Sequence, residues 1–252
     1  MTRIYQPVTL DIDSTLKLDE KASHHLARVL RASLGDVVTL FNGQGGEYEA
    51  VISKIDKKGV EVEVRRFDAR EVESPVNICL AQGIARGEKM DYIVQKAVEL
   101  GVKTIVPLMT ERCNVRLANE REEKRVQHWQ SVAVSACEQS GRNRIPEICS
   151  PIALNTWLQE VKADLCFVLS PHVEHTLPDV EIAAGSTVVL LIGPEGGLSD
   201  QEVTLALRHE FRPLNLGPRV MRTETASIAA MSVLQYRYGD FLSKKVNPST
   251  GA

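Results

Sequence analysis

The sequence predicts an α/β protein with two domains, a small β-rich domain followed by a larger domain in which strands and helices alternate. Two features of the 252-residue chain support this division. Up to residue 72, most apolar residues alternate with polar ones, as in half-buried strands. From residue 76 onward, apolar runs alternate with helical stretches, which is typical of a mainly parallel sheet. The charged segment 68–73, followed by Ser74-Pro75, is the candidate linker, so the predicted domains are residues 1–72 and 73–252.

The first 72 residues are predicted to contain mostly strands. Residues 37–41 form an apolar run that ends at the turn signal NGQGG, and residues 48–55 form a second strand beyond it. Residues 60–64 alternate strictly between valine and glutamate, which indicates a strand with one buried face. A short helix is predicted over residues 21–30. Together these elements fit a small β-barrel.

The C-terminal domain is predicted to hold a mainly parallel sheet. Apolar runs of a length suited to buried strands occur at residues 76–81, 104–108, 164–169 and 187–192. Helices are predicted over residues 89–100, from Asn119 onward, from Ser199 onward and over 224–241. Two of these helices begin with the sequence of a capping box, at Asn119-x-x-Glu122 and at Ser199-x-x-Glu202.

Three of the predicted helices have an apolar face. In the helix over 89–100, which Gly101 is placed to end, this face consists of Met90, Ile93, Val94, Ala97 and Val98. In the helix from Asn119 it consists of Val126, Trp129, Ala133, Ala136 and Cys137. In the last helix it is led by Ala226, Ala229, Ala230, Val233 and Leu234.

The composition is that of an ordinary globular protein. Hydrophobic residues make up 43% of the chain and charged residues 25%. No apolar run approaches the roughly 20 residues of a membrane helix, and the N-terminus lacks the apolar core of a signal peptide. We therefore expect a cytoplasmic protein with no membrane partner. A net charge of −3 argues against a protein that coats nucleic acid by bulk charge.

The five cysteines are scattered along the chain and form no C-x-x-C pair. Zinc sites and thiol redox sites usually require such pairs. We therefore expect no metal site, and we expect thiols that are buried or idle in a reducing compartment.

Two connections between a strand and a helix are unusually rich in glycine and polar residues. In residues 191–199 (LIGPEGGLS), glycines allow backbone groups to approach a ligand, although a tight turn without a ligand is the alternative. This segment matches neither the phosphate-binding loop nor the dinucleotide Gly-x-Gly-x-x-Gly pattern. In residues 214–226 (LNLGPRVMRTETA), Arg219 and Arg222 stand near a helix start, which should disfavour cations. These arginines suggest that an anion or a polar ligand meets them.

Residues 192–199 and 216–226 resemble the paired signatures of the SPOUT methyltransferases. More narrowly, they resemble the family that methylates the ring nitrogen N3 of one uridine in 16S ribosomal RNA. Further matching motifs follow in order, at residues 24–31, 86–90, 95–102, 107–113 and 136–146, so the resemblance covers nearly the whole chain. It implies a PUA-like β-barrel followed by a SPOUT domain with a C-terminal trefoil knot, which no pattern of residues would predict.

The resemblance also implies a cofactor, partners and site residues. The cofactor is S-adenosylmethionine, the substrate is 16S rRNA of the small ribosomal subunit, and the protein acts as a homodimer. The residues implied in cofactor binding are Leu169, Ile192, Gly193, Glu195, Gly196, Leu216, Gly217, Val220, Met221, Thr225 and Ala226. The barrel is expected to dock RNA, and the candidate RNA contacts are Arg3, Arg28, Arg31, Gln139, Arg142 and Arg144.

The implied reaction requires help at the acceptor nitrogen. Uracil N3 carries a proton and is not nucleophilic until that proton leaves, so a base or a cation that stabilises the resulting anion is needed. We hypothesise that Arg222 stabilises the anion and that Glu224 orients Arg222 or acts as the base. A structural bridge between the two side chains is the alternative.

Three other functions remain open. The first is a SPOUT methyltransferase that acts on transfer RNA or on another ribosomal site. The second is an RNA-binding assembly factor that has lost turnover, and the third is a nucleotide hydrolase. The intact signatures at residues 193–197 and 222–226 argue against lost turnover. The lack of a phosphate-loop lysine and of a clear magnesium-binding carboxylate set argues against a hydrolase.

Overall fold

The computed structural model describes residues 2–113, 119–170 and 180–242, apart from the side chains of residues 119–121. The chain divides into two compact units. The first consists of Met1–Glu73 and Ala133–Ile145, and the second of Ser74–Val132 and Pro146–Ala252. The first boundary between the units, after Glu73, therefore falls at the end of the candidate linker. Residues 133–145, which were predicted to lie in the second domain, belong to the first unit.

The first unit is built on a five-stranded sheet. Its strands are β1 (Thr2–Tyr5), β2 (Thr15–Lys17), β3 (Val37–Phe41), β4 (Glu47–Asp56) and β5 (Gly59–Asp68). In the order β1-β3-β4-β5-β2, β1 pairs in parallel with β3, and the other neighbours are antiparallel. The strands predicted from the sequence are β3, β4 and β5. The strands β1 and β2 are short and carry too little apolar pattern to be recognised.

The core of the first unit follows the alternation of β5. Val60, Val62 and Val64 are buried, together with Leu40 of β3 and Ile52 of β4. The glutamates between these valines remain partly exposed. The alternation of residues 60–64 therefore does mark one buried face, as predicted.

The predicted short helix changes its winding halfway. Helix α1 (Glu20–His24) begins after Asp19, whose carboxylate accepts a hydrogen bond of 2.8 Å from the N–H of Ala22. A π-helical turn (His25–Val29) follows directly. The side chain of Leu26 still enters the core of the unit.

The second unit contains a seven-stranded sheet in which all the described pairings are parallel. Its strands are β6 (Asn77–Gly83), β7 (Val102–Met109), β8 (Glu147–Ile148), β9 (Ile152–Ala153), β10 (Leu165–Leu169), β11 (Thr187–Ile192) and β12 (Arg212–Leu214). The order is β12-β10-β11-β6-β7-β8, and β9 also pairs with β7. The predicted apolar runs are β6, β7, β10 and β11, so the expected α/β sheet is present.

The remaining helices are α2 (Glu88–Glu99), α3 (Asn119–Ser140), α4 (Leu154–Glu160), α5 (Asp200–Arg208) and α6 (Thr223–Tyr238). The face predicted for α2 is the face that it buries. Of the face predicted for α3, Val126 is half-buried and the other residues are buried. Helix α5 begins with the predicted capping box, in which the side chains of Ser199 and Glu202 each accept a hydrogen bond from the other residue's N–H. The capping side chain predicted at Asn119 lies outside the described residues.

The face that helix α6 buries differs from the face predicted from the sequence. Its buried residues are Thr223, Ala226, Ser227, Ala230, Met231, Leu234 and Gln235, whereas Ala229 and Val233 are only half-buried. The reason is that two polar side chains on the buried face have hydrogen-bond partners. Ser227 donates to Gln82 and Gln235 donates to the carbonyl oxygen of Leu100, each at 2.7 Å. A pattern of apolar residues cannot reveal burial of this kind.

Across the described part of the chain, no helix has the length and apolar character that crossing a membrane requires.

None of the five cysteines forms a disulfide bond. Burial raises the pKa of Cys79 and of Cys137 to about 12, and that of Cys166 to about 11.

Because the thiolate is the reactive form, we expect these thiols in the native protein to react with iodoacetamide at about pH 8 more than tenfold more slowly than in the unfolded chain. Timed alkylation followed by peptide mass spectrometry measures these rates. Rapid labelling of the fully buried Cys137 in native protein would contradict the prediction.

Candidate functional site

A cavity of about 490 Å³ opens in the second unit at the edge where parallel strands end. Ligands of open α/β sheets bind at this edge. The residues that line the cavity are Arg112, Leu169, Ser170, Ile192, Gly193, Pro194, Glu195, Gly196, Gly197, Leu198, Asp200, Val203, Thr204, Leu214, Asn215, Leu216, Gly217, Arg219, Val220, Met221, Thr223 and Ala226. Both glycine-rich connections found in the sequence therefore form the wall of one cavity.

The connection after β11 approaches the end of β6 so closely that only glycine fits. A Cβ atom at Gly83 would lie 2.5 Å from the backbone nitrogen of Pro194. A Cβ atom at Gly193 would lie 2.6 Å from the carbonyl carbon of Gly197 and from the nitrogen of Leu198. Gly197, with φ of +69°, closes the turn by donating to the carbonyl oxygen of Pro194 at 2.8 Å. The main chain itself therefore forms this part of the cavity wall.

The connection after β12 combines a tight turn with exposed apolar surface. The N–H of Gly217 donates to the Asn215 side chain at 2.8 Å, and Gly217 has φ of +109°. Three residues further on, Val220 is 84% exposed although it lines the cavity. An exposed valine beside an open main chain is a surface that an apolar, flat ligand can cover.

A buried hydrogen-bond network joins the two connections. Gln82, the residue before the last of β6, is completely buried. Its Nε2 donates to the carbonyl oxygen of Gly193 at 3.2 Å and to Thr223 Oγ1 at 3.0 Å, and Thr223 in turn donates to the same carbonyl oxygen at 2.7 Å. Gln82 was not among the site residues expected from the sequence. The available signal was a polar residue at the carboxyl end of an apolar strand.

Charged side chains fix the connection after β11 from the outside. The carboxylate of Glu195 accepts a hydrogen bond of 3.0 Å from the N–H of Arg86 and forms an ion pair with Lys89. Burial by itself raises the pKa of Glu195, but these two groups and its own backbone N–H lower it by more, so the pKa lies below its ordinary value. Arg112 donates to the carbonyl oxygen of Gly196 at 3.1 Å. Glu195 is therefore an anion that holds the loop in place.

The proposed catalytic pair, Arg222 and Glu224, lies at the start of α6, on either side of Thr223. Arg222 is the exposed residue that precedes the helix, and its carbonyl oxygen accepts from the N–H of Ala226 at 2.8 Å. Glu224 is half-buried, and its Oε2 is buried without a hydrogen-bond donor among the described residues. The ion pairs found in the described parts of the chain do not include either residue. Thus a structural bridge between them is not observed.

The residues that the resemblance implied for cofactor binding line this cavity, with the exception of Thr225. Thr225 is exposed on the first turn of α6 and does not line the cavity. The helical repeat explains the difference, because Thr223 and Ala226 are three positions apart and share a face that Thr225 does not. Ser170 and Arg112 line the cavity although the sequence analysis did not include them among the cofactor contacts.

Several of the candidate RNA contacts in the first unit are exposed. Arg28, Arg31 and Gln139 have exposed side chains, and Arg31 has φ of +53°, which is uncommon for a residue with a Cβ atom. The side chain of Arg144 is 54% exposed and pairs with Glu71 at 3.2 Å. These side chains are accessible to a polyanion.

Arg3 and Arg142 were also expected to contact RNA, but in the structure Arg142 is buried and Arg3 is half-buried within the first unit. The side chain of Arg142 is 4% exposed, and its Nε and Nη2 donate to the two carboxylate oxygens of Glu73 at 3.0 and 2.5 Å. Arg3 is 12% exposed and lies between Glu47 and Asn143, each at 2.5 Å. The physical reason is that residues 133–145 belong to this unit, so Arg142 and Asn143 meet polar partners within it.

We expect the substitution Arg142→Ala to lower the free energy of unfolding by about 2 kcal/mol, because Glu73 would lose two charge-assisted hydrogen bonds. Urea unfolding followed by circular dichroism measures this change. The matched control is Arg144→Ala, which removes an exposed ion pair and should lower the free energy of unfolding by less than about 1 kcal/mol. Unchanged stability of Arg142→Ala together with weakened RNA binding would instead support the assignment made from the sequence.

Two family models match successive parts of the chain. The model described as an RNA methyltransferase domain matches residues 72–235. The model described as an RNA methyltransferase PUA domain matches residues 18–65. The cavity lies in the part of the chain that the first model matches.

Curated and solved relatives extend over nearly the whole chain. The ribosomal RNA small subunit methyltransferase E of Buchnera aphidicola is 36% identical over 239 residues, which are 94% of this chain and 97% of that protein. A methyltransferase structure from Legionella pneumophila with bound S-adenosylmethionine is 44% identical, with a TM-score of 0.91 over 95% of this chain and 98% of that one. The ribosomal RNA small subunit methyltransferase E of Neisseria gonorrhoeae, bound to S-adenosylmethionine, is 37% identical, with a TM-score of 0.88 over 96% and 99% of the two chains.

Proposed function

Because this chain belongs to the RNA methyltransferase family whose domain spans residues 72–235, we propose that it methylates 16S ribosomal RNA of the small ribosomal subunit. The methyl donor is S-adenosylmethionine, and the acceptor is the ring nitrogen N3 of one uridine. The observation that carries the proposal is the cavity in which both signature connections meet. The relatives solved with S-adenosylmethionine and the relatives named for small-subunit rRNA support the donor and the substrate.

The residues of the cavity fit S-adenosylmethionine. A volume of about 490 Å³ lies within the range of roughly 300–1,000 Å³ typical of small-molecule sites. At Gly217 a Cβ atom would project into open space, so the glycine leaves the main chain accessible to a ligand. Main-chain groups of residues 192–193 and 216–217 can hydrogen-bond an adenine edge, while Leu169, Val220 and Met221 cover apolar faces. The described residues show no cluster of side chains suited to a metal ion.

In this proposal Arg222 and Glu224 act on the acceptor. S-adenosylmethionine held in this cavity would supply an electrophilic methyl group, with its sulfur as the leaving group. Glu224 accepts the N3 proton on its carboxylate, whose Oε2 has no hydrogen-bond partner among the described residues. The Arg222 guanidinium stabilises the negative charge that develops on the uracil oxygens. Arg222 and Glu224 do not line the cavity but flank Thr223, which does, so in this proposal the acceptor lies beside the bound donor, where proximity accelerates transfer.

We also propose that the second unit is a SPOUT domain whose C-terminal segment forms a trefoil knot, and that the protein acts as a homodimer in the cytoplasm. The resemblance of residues 192–199 and 216–226 to the SPOUT signatures supports this class. In the sheet, β11 lies between β10 and the much earlier β6, so the late strands are inserted beside an early one. Light scattering of the purified protein measures the oligomeric state directly.

The proposed role of the first unit is RNA docking. The match of residues 18–65 to a PUA domain of RNA methyltransferases supports this role. Arg28, Arg31, Gln139 and Arg144 are the exposed candidates for the contact. Such contacts recognise RNA through its shape and its phosphates.

The decisive test is nucleoside analysis by mass spectrometry. Small ribosomal subunits and free 16S rRNA, both from cells that lack the protein, are incubated with the purified protein and S-adenosylmethionine. We expect new N3-methyluridine in one of the two substrates. Cofactor binding without transfer to either substrate would contradict this function and would favour another RNA or a non-catalytic assembly factor.

A further inference from the structure

We propose that Gln82 is a positioning residue that holds the two halves of the cofactor cavity at the separation that binding requires. The inference rests on the proposed function, because it assigns a role within the same site. Gln82 does not line the cavity. It acts through Gly193, the first residue after β11, and through Thr223, the first residue of α6.

The chemistry of the neighbours fixes the orientation of the Gln82 amide. Its Nε2 lies 2.9 Å from the carbonyl oxygen of Gly83 and 3.2 Å from that of Gly193. Carbonyl oxygens can only accept hydrogen bonds, so the NH₂ group must be on this side. On the other side, Oε1 accepts from the hydroxyl of Ser227 at 2.7 Å. If the amide were flipped, Oε1 of Gln82 would face the carbonyl oxygens of Gly83 and Gly193, and neither side could donate a hydrogen bond.

The direction of the Thr223 hydrogen bonds is fixed in the same way. The hydroxyl donates its single hydrogen to the carbonyl oxygen of Gly193 at 2.7 Å. It must therefore accept the bond of 3.0 Å from Gln82. Gln82, Thr223 and Gly193 thus form a ring of hydrogen bonds, in which the two hydrogens of Gln82 Nε2 are shared among the carbonyl oxygens of Gly83 and Gly193 and the Thr223 hydroxyl.

The ring connects a rigid element with the two connections that form the cavity. Gln82 belongs to β6, which lies inside the sheet between β11 and β7. The position of Thr223 determines where Arg222 and Glu224 stand, since these residues are its neighbours in sequence. A shift of the ring would therefore move both the cofactor wall and the proposed catalytic pair.

A polar residue at this position requires a reason beyond packing. Gln82 has 0% exposure, and a buried polar group is unfavourable unless all its hydrogen bonds are made. An apolar side chain would satisfy the interior of a sheet without this requirement. The satisfied network instead specifies one arrangement of the connections before the ligand arrives, and such preorganisation increases affinity.

The chain offers a matched control in Gln235. This residue is also a buried glutamine of the second unit, at 1% exposure. It accepts from Ser74 at 2.8 Å and donates to the carbonyl oxygen of Leu100 at 2.7 Å, and neither it nor these partners line the cavity. Gln82→Leu and Gln235→Leu therefore remove the same chemical group from comparably buried sites, and only the first site is connected to the cavity.

The test is calorimetric titration of the full-length variants with S-adenosylhomocysteine, at a temperature at which circular dichroism shows each variant to be folded. We expect Gln82→Leu and Thr223→Val each to raise the Kd by about tenfold. Thr223→Ser keeps the hydroxyl and is expected to recover most of the affinity. Gln235→Leu should lower the melting temperature but leave the Kd unchanged.

The double variant Gln82→Leu with Thr223→Val distinguishes a shared network from general destabilisation. If the two residues act through one ring, the second substitution raises the Kd by no more than about twofold beyond the first. Independent effects would multiply to about 100-fold and would overturn the inference, as would an equal rise in Kd for Gln235→Leu. If Gln82→Leu does not fold, the milder Ser227→Ala takes its place in the same cycle. Wild-type protein that fails to bind S-adenosylhomocysteine would overturn the proposed function itself.

Discussion

Replacing Arg222 by alanine is expected to lower the turnover number by about 10²- to 10³-fold while the Kd for S-adenosylhomocysteine stays unchanged. Arg222 is exposed, does not line the cofactor cavity and forms no ion pair within the described residues, so its loss leaves no buried partner unpaired. The loss should appear only where negative charge develops on the uracil. Single-turnover transfer of a labelled methyl group to small ribosomal subunits measures the rate, and calorimetry measures the Kd.

Three further variants make the Arg222 experiment specific. Arg222→Lys keeps the positive charge and should retain more turnover than the alanine variant. Arg212→Ala removes another exposed arginine of the same unit, from β12, and should leave turnover and Kd unchanged. Glu224→Gln removes the proposed base and keeps the shape of the side chain. Full turnover of Arg222→Ala with normal cofactor binding would show that the cation is not used.

The second large effect is expected for Gly193→Ala, which should weaken binding of S-adenosylhomocysteine by about 100-fold or more. The added methyl group would lie 2.6 Å from two backbone atoms, the carbonyl carbon of Gly197 and the nitrogen of Leu198. Backbone atoms cannot rotate away as a side chain can, so the connection must move as a whole. Its movement would also break the hydrogen bonds that the Gly193 carbonyl oxygen accepts from Gln82 and Thr223.

The control for this substitution is Gly185→Ala in the same unit. Gly185 has φ of +85°, but a Cβ atom there would find no atom within 4 Å. The variant therefore introduces backbone strain of about 1 kcal/mol without a steric clash. We expect a lower melting temperature and an unchanged Kd. If both variants lost affinity equally, the effect of Gly193→Ala would come from stability and not from the shape of the cavity.

Much of the fold could be predicted from the sequence because its signals are local. The apolar spacing in α2, the capping box at Ser199 and the alternation of residues 60–64 each depend on residues within one or two turns or a single strand. The two connections after β11 and β12 stand out for the same reason, since their glycines and polar residues are adjacent in sequence. Local patterns were therefore sufficient to indicate most residues of the cavity.

The parts that could not be predicted depend on partners far away in sequence. Gln82 acquires its role from Thr223, and Arg142 is buried because Glu73 meets it. Likewise Gln235 is buried on α6 because its amide reaches Leu100. A polar residue with such a partner looks like any exposed polar residue until the fold brings the two together. The same limitation explains why Arg3 was assigned to RNA contact.

The discontinuity of the first unit has a consequence for the protein during its synthesis. Arg3 and Tyr5 are synthesised long before their hydrogen-bond partners Asn143 and Glu138. At roughly 5–20 residues per second, several seconds of translation separate them from these partners. Domains usually complete in order from the N-terminus, but here the first unit can be completed only after the whole of the intervening segment 74–132 and residues 133–145 have been synthesised. Nascent chains interrupted before residue 145 therefore carry an incomplete first unit, and that unit is completed only after synthesis of the second unit has begun.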